Sequence, residues 1–402
     1  MIIMTRVLVI PSWYPTKEDP ISGIFFFEQI RALKDAGIEI GVIFPELISL
    51  SKLSLKRIRN YHFQTKESIE SNIPTIRFFG WRFPKWEKLQ ILIMTLIGKK
   101  LFKIYVKKHG LPEIIHAHST TWAGFVAMKI SISKKIPYIV TEHRGAFFLK
   151  EQNPKLKFKP WYFPRIHRIL QQASQVISVS NSLAQAIKKN FDLNELKIDI
   201  IPNLIERSLF QKPEIPRTQT PFKYLLIGNF VREKNFEMAI RAFDKVYSKN
   251  NECELYIVGQ GPLERELKSL IENLASKNVI KFMGRLDRND VAKLFQILNV
   301  LIVSSLWETF GVVMIEALAT GMPVISTNCG GPSDIISLNS VGMLCSIGDV
   351  DELAQKMIEI KNNYSNYKPE EIVDYFNLNY SESVITSKIK KIYDSIVAKF
   401  YE

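Results

Sequence analysis

From residue 6 to residue 203, short apolar runs alternate with stretches of helical periodicity, and from residue 222 the alternation begins again. RVLVI, EIGVIF, IPTIRFF, EIIHAH, PYIVTEH, SQVISVS and KIDIIPN read as strands, with helical patterns at about 24–36, 86–108, 121–134 and 181–190. Runs that are apolar at consecutive positions suit strands buried on both faces, and strands separated by helices pair in parallel. A chain of this pattern has few options, and the one that buries every strand is a doubly wound α/β sheet. Residues 204–221, LIERSLFQKPEIPRTQTP, hold three Pro and no periodicity, and read as an interdomain linker. The second round has strands FKYLLIG, ELYIVG, NVIKFMG, NVLIVSS, MPVISTN and GMLCS. Its helices are expected near 235–248, 262–275, 287–297, 310–320 and 349–361, with a closing helical stretch at about 381–399. Two α/β domains are therefore expected, 1–203 and 222–380.

The 402 residues can fill two or three cores, and a composition 46% hydrophobic and 23% charged excludes a disordered chain. Only three Cys are present (Cys253, Cys329 and Cys345), all in strand-like runs, so buried inert thiols in a reducing cytoplasm are expected rather than a disulfide framework. MIIMTRVLVIP has an Arg inside its apolar stretch and reads as a first strand, not a signal peptide. The apolar run Ile91–Gly98 is far shorter than the roughly 20 residues that cross a bilayer. The net charge of +14 is uneven: residues 1–205 hold 31 Lys+Arg against 15 Asp+Glu, whereas the remainder holds 23 against 25. The basic surface belongs to the first half.

Chemistry is densest in Ser304–Cys329, SSLWETFGVVMIEALATGMPVISTNC. Glu308 falls at the carboxyl end of the run Val300–Val303, where open parallel sheets bind ligands. Thr309 is placed to cap a helix from about Phe310 to Thr320, which Gly321 ends. Glu316 lies inside that helix with Val312, Val313, Ala319 and Thr320 three or four positions away, on a largely apolar face. Burying an unpaired carboxylate is costly, so Glu316 needs a core cation, a backbone donor or ligand hydroxyls.

Elsewhere, Ser22-Gly23 ends the loop after the first strand and opens a helix, either as a plain turn or as a backbone approach to phosphate. His116 and His118 lie two apart at a strand end without an acidic or Cys partner at ligand spacing, which disfavours a metal and leaves a polar core or a site role. Arg232 and Lys234 sit in a strand–helix loop, as solvated charges or as partners of a diphosphate. WRFPKWEKLQILIMTLIGKKLFKIYVKKHG (81–110) mixes Trp, Leu and Ile with Lys99, Lys100, Lys103, Lys107 and Lys108. It is either an ordinary helix with its lysines in water or one that lies on an anionic leaflet. No nucleic-acid motif accompanies the charge, so a nucleic-acid partner is not expected.

ETFGVVMIEALATGMPVI resembles the Glu-x7-Glu signature of the retaining nucleotide-sugar glycosyltransferases of family 4, which have the GT-B fold. SWYP…PISGIFFFEQIRAL, IIHAHSTTWAG, TEHRG, LLIGNFVREKNFEMAIRAF, the loop after NVIKFMG and CGGPSDII extend the resemblance over nearly the whole chain. It implies two Rossmann-like domains facing a central cleft: an acceptor domain, 1–203, onto which a helix at about 381–402 packs back, and a donor domain, 222–380. The implied reaction moves a hexose from a UDP- or GDP-linked sugar to a hydroxyl of a glycan or lipid-linked saccharide, with retention, in cell-surface polysaccharide synthesis. Glu316 would bind ribose hydroxyls and Glu308 a donor-sugar hydroxyl. The backbone of Thr309, Phe310, Gly311 and Val312 would meet sugar or phosphate, as would Gly23, and the loop Gly284, Arg285 and Leu286 would hold the base. Lys234 would stabilise the departing diphosphate. The family commonly has a second Gly where this chain has Ser22, and an Arg where it has Asn229, for which Arg232 would substitute. His118 would stand beside the reacting centre, with Glu142 and His143 on the acceptor side. No metal and no cofactor beyond the nucleotide sugar is implied. A nucleotide-sugar 2-epimerase, a phosphorylase, or a binding protein without turnover are alternatives on the same fold. The expected location is the cytoplasm, with peripheral contact at the inner leaflet.

Overall fold

Strand β1 (Arg6–Pro11) is buried along almost its whole length, as a strand covered on both faces must be. This computed structural model describes residues 5–50, 54–82, 87–147 and 161–401. The chain divides into two units, one of residues 1–179, 183–203 and 385–402, the other of 180–182 and 204–384.

In the first unit β1 is joined by β2 (Glu39–Ser49), β3 (Gln64–Glu70), β4 (Ile73–Arg82), β5 (Ile114–His118), β6 (Tyr138–Glu142), β7 (Gln175–Ser178) and β8 (Ile198–Ile200). The sheet order is β3-β4-β2-β1-β5-β6-β7-β8. All neighbours are parallel except β3 and β4, an antiparallel hairpin turned by Ser71 and Asn72, both at positive φ. The sheet reverses its winding at β1, which is flanked by β2 and β5. Leu8, Ile10, Ile115, Leu101, Tyr105 and Val126 belong to the core between the sheet and its helices. The last helix, Glu382–Tyr401, supplies Ile385, Ile389, Tyr393 and Ile396 as buried residues at helical spacing.

The second unit has β9 (Phe222–Ile227), β10 (Cys253–Val258), β11 (Ile280–Gly284), β12 (Val300–Val303), β13 (Val324–Thr327) and β14 (Gly342–Cys345), all parallel. Their order is β11-β10-β9-β12-β13-β14, so the winding reverses between β9 and β12. Residues 204–221, expected as a linker, fold with this unit: Leu204, Ile205 and Phe210 are buried. Arg217 is buried with them and donates to the carbonyls of Phe295 (2.8 Å), Thr320 (2.7 Å) and Gly321 (3.1 Å), the ends of two helices. Those are the helices Arg288–Ile297 and Val312–Ala319, both of which begin near the carboxyl ends of strands. A chain break between domains would not need a buried cation; this segment needs one because two sets of helix C-terminal carbonyls otherwise lack donors.

Candidate active site

The reversal between β9 and β12 places the loops after these strands side by side. Arg232–Lys234 form one 3₁₀ turn in the first loop, and Ser304–Gly311 make up the second. The Lys234 ammonium forms an ion pair with the Glu308 carboxylate, and Ser305 Oγ donates to the same Oε1 at 2.9 Å. Ser304 Oγ donates to the Lys234 carbonyl (3.0 Å), and the Leu306 amide to the Glu233 carbonyl (2.8 Å), which zips the loops together. On the other side the Glu308 amide donates to the Cys329 carbonyl (3.0 Å), and the Gly331 amide returns a bond to the Glu308 carbonyl (2.9 Å). Glu308 is thus fixed through its backbone by the turn CGGPSDII and through its side chain by Lys234. Arg232 and Asn229 are exposed, and Arg232 makes no ion pair among the described residues.

The helix after Glu308 begins later than expected. It spans Val312–Ala319, and its N-cap is Gly311 at φ 100°, not Thr309. The chain must turn into the helix through a left-handed residue, and Gly takes that conformation without steric cost. With Gly at the cap, no side chain covers the first amides of the helix, which leaves an N-terminus suited to an anion. Thr309 and Phe310 form the turn before it, Thr309 half-buried and Phe310 buried.

Glu316 is half-buried on this helix and has a cation nearby: Arg288 Nη2 is 3.7 Å from its Oε1. Arg288 also lies 3.9 Å from Glu206 and 5.5 Å from the Phe210 ring centroid. It opens the helix Arg288–Ile297, which Asp287 caps by accepting from the Asp290 amide at 2.9 Å. The preceding turn, Gly284, Arg285 and Leu286, is exposed at Gly284 and Arg285, and Gly284 has φ 67°.

In the first unit the corresponding reversal lies between β1 and β5. Gly23, at φ 71°, is the N-cap of the helix Ile24–Asp35, and a Cβ there would lie 2.7 Å from the Trp13 carbonyl carbon. His116 and His118 end β5. His116 Nδ1 bonds the Tyr393 hydroxyl and Nε2 the Thr141 hydroxyl, each at 2.7 Å. His118 Nδ1 lies 3.2 Å from His143 Nε2, so the N–H of one ring donates to the bare nitrogen of the other. His118 stacks on His116 at 4.5 Å and lies 4.8 Å from the Phe26 ring. Burial drives His116 and His143 down to about 3, with the neighbouring His116 adding to the effect on His143. Burial and the two adjacent imidazoles drive His118 well below its ordinary range. All three are neutral at pH 7.

Glu142, placed on the acceptor side by the resemblance, has a full set of internal donors. Its Oε2 accepts from the Thr120 amide (2.8 Å) and hydroxyl (2.6 Å), and its Oε1 from the amides of His143 (2.9 Å) and Arg144 (3.0 Å). It is completely buried and ties the loop after β5 to the loop after β6. Its contribution is to hold the His118 and His143 strand ends in register.

Four partners in these sites do not stand out in the sequence. Ser305 is one of a pair of serines with no motif, Arg288 one of many exposed-looking cations, and Arg217 lies in a Pro-rich stretch. Tyr393 is separated from His116 by 277 positions. Only Arg288 had a signal, since the Glu316 carboxylate on a largely apolar helix face required a partner.

The helix Glu87–His109 carries the basic stretch; residues 83–86 of that stretch lie outside the described residues. Leu89, Leu92, Leu96, Lys99, Lys103 and Lys107 are exposed at spacings of three and four, so they share one face. Among the described residues no helix is long and apolar enough to cross a membrane, and no group of three or more His, Cys, Asp or Glu is arranged to hold a metal ion. The three Cys are buried, which pushes the thiols up to about 11 in Cys253 and about 12 in Cys329 and Cys345.

Two families match in sequence: "Glycosyltransferase Family 4" over residues 23–209 and "Glycosyl transferases group 1" over residues 208–375. The chain is 29% identical over 343 residues to TuaC of Bacillus subtilis, which is named as a teichuronic acid biosynthesis glycosyltransferase, covering 82% of each chain. It is 25% identical over 308 residues to N-acetyl-alpha-D-glucosaminyl L-malate synthase of Bacillus anthracis, covering 70% of this chain and 77% of that one. Among solved structures, sucrose-phosphate synthase from Thermosynechococcus elongatus superimposes with a TM-score of 0.76 at 18% identity, over 98% of this chain and all of that one. HepE of Anabaena, solved in complex with UDP, gives 0.71 at 16% identity over 98% of this chain and 100% of that one. With both halves matched in sequence and two parallel α/β sheets in the fold, the chain belongs to the family-4 glycosyltransferases of the GT-B fold.

Proposed function

We propose that the protein is a retaining hexosyltransferase that moves a hexose from a UDP- or GDP-linked sugar to a hydroxyl of a glycan or lipid-linked saccharide in cell-surface polysaccharide synthesis. The observation that carries this reading is the Lys234–Glu308 pair at the β9–β12 reversal, beside a helix N-terminus that no side chain caps. A cation and a helix N-terminus without a side-chain cap, at the carboxyl ends of parallel strands, suit a phosphate ligand. The complexes of HepE with UDP and with UDP-glucose, and the name of TuaC, support the donor and pathway classes.

In this reading Glu316, oriented by Arg288, binds ribose hydroxyls and Glu308 binds a hydroxyl of the donor sugar. The turn Gly284–Leu286 holds the base, and the amides from Thr309 to Val312 meet the phosphate. Lys234 and Arg232 stabilise the negative charge that grows as the glycosidic C–O bond breaks. The acceptor oxygen bonds to the same face of the sugar carbon, and its proton passes to the leaving phosphate. Neutral His118, held by His143, offers a hydrogen bond beside the reacting sugar rather than a charge. Positioning and fixed cations supply the rate, so the reaction needs no divalent metal and survives EDTA.

We place the acceptor at an anionic inner leaflet, on the basic helix. Exposed Leu89, Leu92 and Leu96 continue into Lys99, Lys103 and Lys107 on one face, the pattern of a helix that inserts its apolar end and keeps its cations at the head groups. A thermal-shift screen with UDP, GDP and ADP tests the donor assignment. One or more should raise the midpoint, since a ligand of the native state stabilises it. A flat response to all three rejects it. Release of nucleoside diphosphate that depends on acceptor separates transfer from epimerisation and from binding alone.

A further inference from the structure

Trp13 stands out among the described tryptophans. It is 38% exposed, while its neighbours Ser12 and Tyr14 are buried and every other described tryptophan is buried or half-buried. The residue before it is held from several sides. The Ser12 amide donates to the His118 carbonyl (3.1 Å), Ser12 Oγ and Thr121 Oγ1 are 2.6 Å apart, and Trp122 Nε1 donates to the Ser12 carbonyl (3.2 Å). Gly23 presses against the Trp13 carbonyl so closely that no Cβ fits there. The loop is therefore fixed, and yet it presents a large aromatic ring to solvent at the carboxyl end of β1. That is the sheet reversal, where α/β folds take ligands.

The ring is also connected to the candidate site. The Trp13 indole stacks on Phe26 at 6.2 Å and 25°, and Phe26 lies 4.8 Å from the His118 ring and 4.6 Å from that of His143. Ser119, the residue after β5 and next in sequence to His118, has φ 78°, a backbone conformation that a serine adopts only under local constraint. A flat ring, the Ser12–Thr121 hydroxyl pair and a strained turn residue thus follow the carboxyl ends of the adjacent strands β1 and β5.

We propose that Trp13 is the stacking platform of an acceptor-sugar subsite. A pyranose ring has one face of C–H groups and a rim of hydroxyls. An indole covers the C–H face by dispersion and apolar burial, while serine and threonine hydroxyls keep acceptor capacity for the rim. A rigid loop loses no conformational entropy on binding, which favours a platform fixed in advance. The inference rests on the glycosyltransferase reading and assigns Trp13 the choice of acceptor, not of donor.

Saturation-transfer NMR on the full chain tests it, with methyl α-glucopyranoside, methyl β-galactopyranoside and N-acetylglucosamine as probes. The wild type should transfer saturation to the ring C–H protons of at least one probe. Trp13→Ala should weaken that binding about tenfold or more, and Trp13→Phe should keep part of it. The UDP thermal shift serves as fold control and should be the same in the Ala variant as in the wild type. No transfer to any probe in the wild type, or equal transfer in Trp13→Ala, overturns the proposal. Trp13-dependent transfer without any nucleotide shift would instead reject the donor reading and leave the platform standing.

Discussion

Lys234 and Glu308, 74 positions apart in the chain, are ion-paired across the boundary between β9 and β12. Glu308 is largely buried and Lys234 about a third exposed, so the pair is better shielded than a surface salt bridge. Under the proposed function, a diphosphate entering beside it meets a cation already oriented by a carboxylate. Lys234→Ala should lower turnover by about 10²-fold, with a smaller effect on donor KM, because the cation acts as charge grows on the leaving group. Arg232→Ala should lower turnover by roughly tenfold, because its exposed guanidinium lies in the same loop as Lys234. Steady-state kinetics decide both, and an Arg232 variant with wild-type turnover removes that residue from the reaction.

The three neutral histidines make a prediction about pH. Their folded values lie below that of an unfolded histidine, about 6.5. The unfolded chain therefore binds protons that the folded chain refuses. Stability is full above about pH 6.5 and is lost as pH falls towards the folded values, by up to about 4 kcal/mol per unit if all three imidazoles take up a proton. Urea unfolding at pH 7, 6 and 5 reads this directly. A stability unchanged from pH 7 to 5 would show that the imidazoles are not held neutral.

Arg217 should matter more to stability than to catalysis. Its donors meet uncharged groups, among them the carbonyls at the ends of two helices and the Thr320 hydroxyl. Truncation to Met keeps some bulk and removes every donor, leaving several buried carbonyls without partners. The cost should be about 2–5 kcal/mol. A lowered urea midpoint with an unchanged slope is the expected result, and a midpoint equal to wild type would refute the bracing role.

Binding to anionic vesicles should depend on salt. Each Lys near a charged leaflet is worth about 1 kcal/mol. The attraction shortens from about 10 Å at 0.1 M salt to about 3 Å at 1 M. Co-sedimentation should drop in high salt and when Lys99, Lys100, Lys103 and Lys107 become Glu. Replacing Leu92 and Leu96 by Ser should weaken it even at low salt. Wild-type protein left in the supernatant at low salt would exclude the leaflet and favour a soluble acceptor.

The parallel strands were legible because burial on both faces leaves unbroken apolar runs, as in β1, β5 and β12. β3 was not legible: QTKESIE is a mostly exposed edge strand whose charges suit the rim of a sheet and resemble a loop. The helices Leu55–Tyr61, Phe163–Gln172 and Pro369–Tyr380 were also missed. The first is short, and the third follows a 3₁₀ turn that obscures its start. Thr309 looked like a cap by residue type, but the required turn is left-handed and only Gly311 supplies it. Glu308 and Lys234 could be placed at strand ends from sequence, whereas their pairing depended on which strands lie adjacent. The same holds for Arg288 beside Glu316, which lies 28 positions further along on a different helix.

The closing helix has a consequence for how the chain is made. Residues 385–402 belong to the first unit, and the Tyr393 hydroxyl satisfies His116 in its core. A ribosome finishes the second unit's sequence before it releases the last piece of the first. The amino-terminal sheet must therefore wait, with its β5 imidazole short of a partner, until the helix that carries Tyr393 emerges. A premature stop near residue 384 would leave the later-made unit intact in sequence and damage the one made earliest. The defect would lie hundreds of residues upstream of the lesion.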